Sequence, residues 1–234
     1  MELLKVDKFI SRSGFCSRRK AFELIEEKRV KVNGKIANFS TKINQGDVVT
    51  VDGQRLIEKE FKPVYIAYHK PKGIVCTTEK IKGNIIDAIN YPEKIYPVGR
   101  LDKDSEGLIL LTNHGEIINK ISHAEEGHEK EYIVTLNLPV RKKFLEEISQ
   151  GIEILEEITK PCKTELVPGT KRLFKIILTQ GLNRQIRRMC NEYDYQVIRL
   201  QRVRVMNIHL GKLKPGEWRE LSPEEIEKLM LDLS

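Results

Sequence analysis

Helical spacing opens the chain. Asp7 to Gly14 reads as a short helix with an acidic start and a glycine stop, and Ser17 then stands as an N-cap. The helix it starts, Arg18-Arg19-Lys20-Ala21-Phe22-Glu23-Leu24-Ile25-Glu26-Glu27, has Phe22, Leu24 and Ile25 as its apolar side. The pattern then switches to alternation. Arg29 to Lys35 ends in Asn33-Gly34, a hairpin signal, and Gly46 to Gly53 is a second turn–strand–turn. Residues 1–53 therefore predict a compact unit of two helices and short strands. Residues 54–63 have no period and end at Pro63, as a linker would.

From Val64 the composition changes. Strands are expected at 64–69, 107–112, 130–137, 173–180 and 196–205, and helices at 114–121, 141–150 and 183–193. A last helix starts at Ser222-Pro223-Glu224, an N-cap followed by an N1 proline. Without a regular βαβ rhythm, the fold class is α+β: a small N-terminal α/β unit, then a mixed, largely antiparallel sheet over 64–234.

Composition narrows the class. The 234 residues are 40% hydrophobic and 32% charged, which excludes fibrous, low-complexity and disulfide-framework proteins. Cys16, Cys76, Cys162 and Cys190 form no CxxC pair, and no secretion signal precedes them, so a reduced cytoplasmic protein is expected. No apolar run approaches membrane-span length. The net charge of +7 is unevenly placed. Residues 5–35 hold ten basic and four acidic side chains, and 171–204 hold nine and two. Two such blocks suit a polyanion surface or two solvated faces. Arg18, Arg19 and Lys20 at a helix start oppose its dipole, which makes sense if a phosphate binds there.

Most motif tests fail. The five histidines show no metal-ligand spacing, and no P-loop or GxSxG elbow occurs. The polar stretch Gly99-Arg100-Leu101-Asp102-Lys103-Asp104-Ser105-Glu106-Gly107, immediately before a buried strand, stands out. From the residues alone, Asp102 is a nucleophile, a base, or with Ser105 the capping group of a tight turn.

The first 53 residues resemble the small RNA-binding domain named after ribosomal protein S4, through Ser17-Arg18-Arg19, Val30-Lys31-Val32-Asn33-Gly34 and Gly46-Asp47. Residues 99–108 resemble the central motif of the pseudouridine synthases of the RsuA/RluF group. Lys70-Pro71-Lys72-Gly73, Lys130-Glu131-Tyr132 and Asn183-Arg184-Gln185-Ile186-Arg187-Arg188-Met189 are similar to three further motifs of that group, in order. Gln180 to Cys190 and Arg204-Val205-Met206-Asn207-Ile208 look most like the RluF branch. Ser105 stands where many members carry threonine.

The resemblance implies isomerisation of a uridine of 23S ribosomal RNA near the peptidyl-transferase region, in free RNA or a large-subunit assembly intermediate, with a transfer RNA as a possible second substrate. The reaction is redox-neutral, so no cofactor and no metal are implied. Asp102 is the implied essential carboxylate, Arg187 its cationic partner and Tyr132 the ring against the uracil. Read without the resemblance, Tyr132 is a core aromatic and Arg187 a phosphate contact. Arg18, Arg19, Lys20 and Lys31 are expected on phosphates, with Asn183, Arg184 and Arg188, while Arg100 fills the space of the flipped base and Lys70 and Lys72 support the site. Two other classes compete. A non-catalytic ribosome-assembly factor would use both basic blocks but has no use for Asp102 facing phosphates. A glycoside hydrolase wants two flanking acids, which Asp102 and Asp104 superficially offer.

Overall fold

The computed structural model describes residues 4–57, 61–122 and 127–234, without the side chain of Ser122. The chain divides into two compact units, Met1–Lys62 and Pro63–Ser234.

In the first unit, helices Val6–Arg12 and Arg18–Glu26 pack on a four-stranded antiparallel sheet. The strand order is Lys35–Ile36, Val30–Val32, Val49–Val51, Gln54–Leu56. The Asn-Gly signal is met: Asn33 and Gly34 both take positive φ, as a two-residue hairpin turn requires. Asp52 and Gly53 do the same one hairpin later. That second turn corrects the expected linker at its start. Gln54–Leu56 returns along Val49–Val51, and Leu56 buries its side chain in the unit's core. Ser17 caps the second helix by accepting from the Lys20 amide. Phe22 departs from expectation: Ala21, Leu24 and Ile25 face the core, while Phe22 lies half-exposed against Phe39, ring centroids 5.4 Å apart.

In the second unit, a nine-stranded sheet carries the site. Its main path runs Lys163–Leu166, Leu173–Leu178, Lys130–Leu136, Val197–Val205, Glu106–Thr112, Tyr65–Lys70, Trp218–Glu220. Ile208–His209 pairs with Val197–Val205, and Tyr96–Val98 with Glu106–Thr112. The pairings are antiparallel except the central one, where Val197–Val205 runs parallel to Glu106–Thr112. The strand expected at 107–112 runs over Glu106–Thr112, and its apolar run Leu108 to Leu111 is buried on both faces. Leu108 and Leu110 join Ala67, Ile117 and Leu229 on one side; Ile109 and Leu111 join Ile66, Tyr68 and Ile85 on the other. A third cluster, around Phe144, Phe174, Ile176 and Met189, fills the space under helices Lys142–Ser149 and Gln185–Asn191. Helix Pro223–Asp232 starts with the expected proline and a full capping box between Ser222 and Glu225. Among the described residues, no helix is long and apolar enough to cross a membrane.

Candidate active site

Asp102 sits on the loop joining Tyr96–Val98 to Glu106–Thr112. Three backbone bonds fix that loop. The Leu101 amide donates to the buried Cys76 thiol at 3.3 Å, the Ser105 amide to the Asp102 carbonyl at 3.1 Å, and the Gly73 amide to the Lys103 carbonyl at 2.7 Å. The Gly73 turn is itself held by Lys70, which is fully buried and donates Nζ to the Pro71 and Ile74 carbonyls at 3.0 and 2.9 Å. Burial pushes the Lys70 ammonium below its ordinary value, against the pull of Cys76, Asp102 and Asp104. Lys70 thus braces the loop from beneath, and Lys72 lies exposed, donating to the Ile198 carbonyl at 3.4 Å.

The capped-turn reading of Asp102 and Ser105 fails. Ser105 Oγ is buried without a hydrogen-bond partner, and the one ionic neighbour of the Asp102 carboxylate is Arg184 at 3.8 Å, among the described residues. Asp102 instead faces a cleft of about 630 Å³, ample for a nucleotide. Arg100, Lys130, Tyr132, Asn183 and Arg202 line it with Asp102, and Ile121 and Val205 give it apolar wall. Segments far apart in sequence, around 75–77, 98–103, 130–132, 180–183 and 202–205, therefore meet here, and Arg100, Asp102, Tyr132 and Asn183 share one cleft. Tyr132 is half-buried on the cleft face of its strand, packed against the apolar clusters on either side.

The arginines are arranged differently from expectation. Arg187 does not face Asp102. Its guanidinium donates to the carbonyls of Val197 and Asp104, at 3.0 and 3.2 Å, and approaches the Asp104 carboxylate at 3.3 Å. Arg184 makes a two-pronged contact with the same carboxylate, at 3.0 and 3.2 Å. Desolvation raises the Asp104 carboxyl, but the Arg184 hydrogen bonds and the Arg187 charge outweigh it and hold the group below the usual carboxylate value. Asp104 is thus the junction between the Asp102 loop and helix Gln185–Asn191. The reason is local: Arg184 takes a left-handed φ just before that helix, which turns its side chain back across the loop. Arg188 folds onto the same bend, donating Nε to the Asn183 carbonyl at 3.0 Å.

Arg187→Met should therefore act mainly on stability. It leaves the Val197 and Asp104 carbonyls without this donor and the Asp104 carboxylate with Arg184 alone, at a cost of about 2 kcal/mol. Urea unfolding should show a lower midpoint with an unchanged slope. An unchanged midpoint would remove the strut role.

In the first unit, the basic helix start is partly committed to the fold. Arg18 gives Nε and Nη2 to the buried Asp7 carboxylate at 2.8 and 2.6 Å, and Lys20 pairs with Glu23 at 2.7 Å. The Glu23 contact raises the Lys20 ammonium above its ordinary value. Arg19 and Lys31 are exposed and pair with no acid among the described residues.

Two cleft residues escaped the sequence reading. Lys130 was legible in principle, since it stands two before Tyr132 on an alternating strand and so shares its face. Arg202 was not: its facing depends on a register shift between strands.

A profile of the RNA pseudouridylate synthase family matches residues 64–192, and one of the S4 domain matches residues 4–49. The chain belongs to the RNA pseudouridylate synthase family and carries an N-terminal S4 domain. In type it is RluF-like. The "Dual-specificity RNA pseudouridine synthase RluF" of Escherichia coli (strain K12) is 47% identical to it over 95% of this chain and 77% of that protein. The "Ribosomal large subunit pseudouridine synthase B" of Bacillus subtilis (strain 168) is 37% identical, over 96% of this chain and 95% of that one. A crystal structure of a pseudouridylate synthase superposes with a TM-score of 0.70 at 32% identity, covering 97% of this chain and 99% of the other. The chain is an RNA pseudouridine synthase.

Proposed function

We propose that the substrate is a uridine of 23S ribosomal RNA, in the transcript or in a large-subunit assembly intermediate, with a transfer RNA as the second candidate. The observation that carries the mechanism is the setting of Asp102. Among the described residues it is the one carboxylate lining a cleft otherwise edged by Arg100, Lys103, Lys130 and Arg202. A protein that only bound RNA would gain nothing from a carboxylate there, since it repels phosphates. In this reading the target base leaves its stack, at a cost of a few kcal/mol, and enters the cleft against Tyr132. Asp102 acts on the nucleoside while the C1′–N1 bond breaks and the C1′–C5 bond forms. Arg100, an exposed residue of the cleft lining, occupies the vacated stack in this reading. Arg184 and Arg187 hold the Asp102 loop through Asp104, and Asn183 and Arg188 lie beside them for the RNA backbone.

Tritium release from RNA labelled at uridine C5 tests the substrate. Release from 23S transcript or from a precursor particle supports the reading. Release from transfer RNA only would give the site to the second candidate in place of 23S RNA, and free uracil in place of pseudouridine would overturn the isomerase reading.

The S4 unit is proposed to supply affinity through phosphate contacts made by Arg19 and Lys31, with Arg18 and Lys20 contributing from their ion pairs. With about five phosphates engaged, log K falls with log salt at a slope of about −3.5 on single-stranded RNA. Arg19→Gln combined with Lys31→Gln should flatten that slope by about 1.4, or roughly 0.7 for each lost contact. Filter binding across a salt series reads it, and an unchanged slope places the RNA elsewhere.

A further inference from the structure

Lys130 and Tyr132 stand two residues apart on strand Lys130–Leu136, so their side chains leave the same face of the sheet. The neighbouring strand sets Val205 opposite Lys130, Arg204 opposite Glu131 and Arg202 opposite Tyr132. The register skips Val203: a bulge between Glu131 and Tyr132 takes up that residue and turns Arg202 onto the cleft face. Lys130, Tyr132 and Arg202 consequently form one cluster along the cleft wall.

The two faces of this sheet differ in charge balance. On the far face every cation has a carboxylate: Arg204 pairs with Glu129 and Glu131, both at 2.9 Å, and Lys175 with Glu165 at 3.5 Å and Glu131 at 3.9 Å. On the cleft face none does, among the described residues. Arg202 is 5% exposed and donates Nε to the Leu108 carbonyl at 2.7 Å, yet its Nη2 is buried with no partner. Lys130 is half-buried beside it and makes no ion pair among the described residues. Burial, and then the charge of Arg202, push the Lys130 ammonium down to about 8. Two adjacent cations with unused donors are costly to fold and give an anion a ready site.

Pseudouridine formation supplies one. If the electron pair of the breaking C1′–N1 bond goes to N1, the detached uracil is an anion whose charge spreads over N1, O2 and O4. Closure forms C1′–C5; the C5 proton is lost and N1 gains one, so the net reaction is an isomerisation. Resting on the isomerase reading above, we propose that Lys130 and Arg202 are catalytic residues that donate to the carbonyl oxygens of the detached uracil and hold it in the cleft while it rotates. The phosphate of the flipped nucleotide offers the same anionic oxygens, and the experiment separates the two sources.

The test is single-turnover conversion of the cognate RNA by wild type, Lys130→Met and Lys130→Arg, with RNA Kd measured alongside. Lys130→Met should lower the rate about 100-fold, the cost of removing one donor to a developing anion, with Kd and salt slope unchanged. Lys130→Arg should recover part of the loss. The wild-type rate should fall as pH rises through about 8, and Lys130→Arg should lack that limb. The groups facing Lys130 from the surrounding elements are Arg100, Asp102, Lys103, Cys76, Tyr132 and Arg202, which all three proteins share. The Met variant should also melt higher than wild type at pH 7. A depressed ammonium binds fewer protons folded than unfolded, so its penalty is full below about 8 and fades as pH rises toward the ordinary lysine value. A Lys130→Met rate within about threefold of wild type overturns the assignment. So does a loss confined to Kd with the salt slope reduced by about 0.7, which gives Lys130 to a phosphate. Wild-type protein that makes no pseudouridine overturns the isomerase reading, and this one with it.

Discussion

Asp102→Asn is expected to abolish pseudouridine formation, by about a thousandfold or more, while RNA binding stays as tight or tightens. The change keeps the shape of the side chain and removes its charge. A group that acts on the reacting atoms loses its whole contribution to the transition state in such a swap. The fold should hardly notice. The carboxylate accepts no backbone hydrogen bond among the described residues, and its one ionic neighbour, Arg184, lies at 3.8 Å and is half-exposed. Pairs of that kind contribute about 0–1 kcal/mol. The variant also removes the negative charge that phosphates meet in the cleft, hence the retained or improved affinity. Tritium release, melting temperature and Kd measured on one preparation give the answer. Substantial activity in the variant would take Asp102 out of the mechanism. Lost activity with lost folding would leave the charge untested, which is why the melting curve belongs in the same experiment.

The second large effect is on stability. Gly107 takes φ +111 at the point where strand Val197–Val205 runs alongside it, and a Cβ there would overlap the Arg202 backbone. Gly107→Ala therefore combines a strained backbone with an overlap against a main chain that cannot rotate away. Together these cost roughly 3 kcal/mol. For a unit of this size that lowers the melting transition by about 6–12 °C. Differential scanning calorimetry would resolve it in the transition of the C-terminal unit. A shift below about 2 °C would mean that the two parallel strands part easily, and that the cleft wall is not anchored at Gly107. The position matters for chemistry because the glycine lets Arg202 sit beside the end of the Asp102 loop.

Much of this arrangement is legible in the local sequence. The Ser17 cap, the Asn33-Gly34 hairpin and the Ser222-Pro223 helix start all depend on contacts within a few residues. Their physics is complete in the local pattern. The error at residues 54–56 has the same local origin, since Asp52-Gly53 is a hairpin signal that links two strands instead of ending a unit. Phe22 was misplaced because helical spacing offers a choice of apolar residues and only packing decides which face the core receives.

The site divides along the same line. The polar stretch at 99–107 marked Asp102, the family resemblance marked Arg100, Tyr132 and Asn183, and the four meet in one cleft. What each cation does was beyond local pattern. Arg18 is spent on the buried Asp7, eleven residues away, and Arg187 on Asp104 and the Val197 carbonyl, because a carboxylate or carbonyl draws whichever donor the fold brings near. Lys130 and Arg202 are the sharpest case. Their sequence states the side chains; a one-residue bulge and a parallel strand pairing state where those side chains point. Local order thus determined the elements and the two-unit plan, and the ordered motifs, through the family resemblance, the kind of chemistry. The tertiary structure decided which charges are paired and which stay unpaired facing the cleft, because register and strand pairing are set by contacts between residues far apart in the chain.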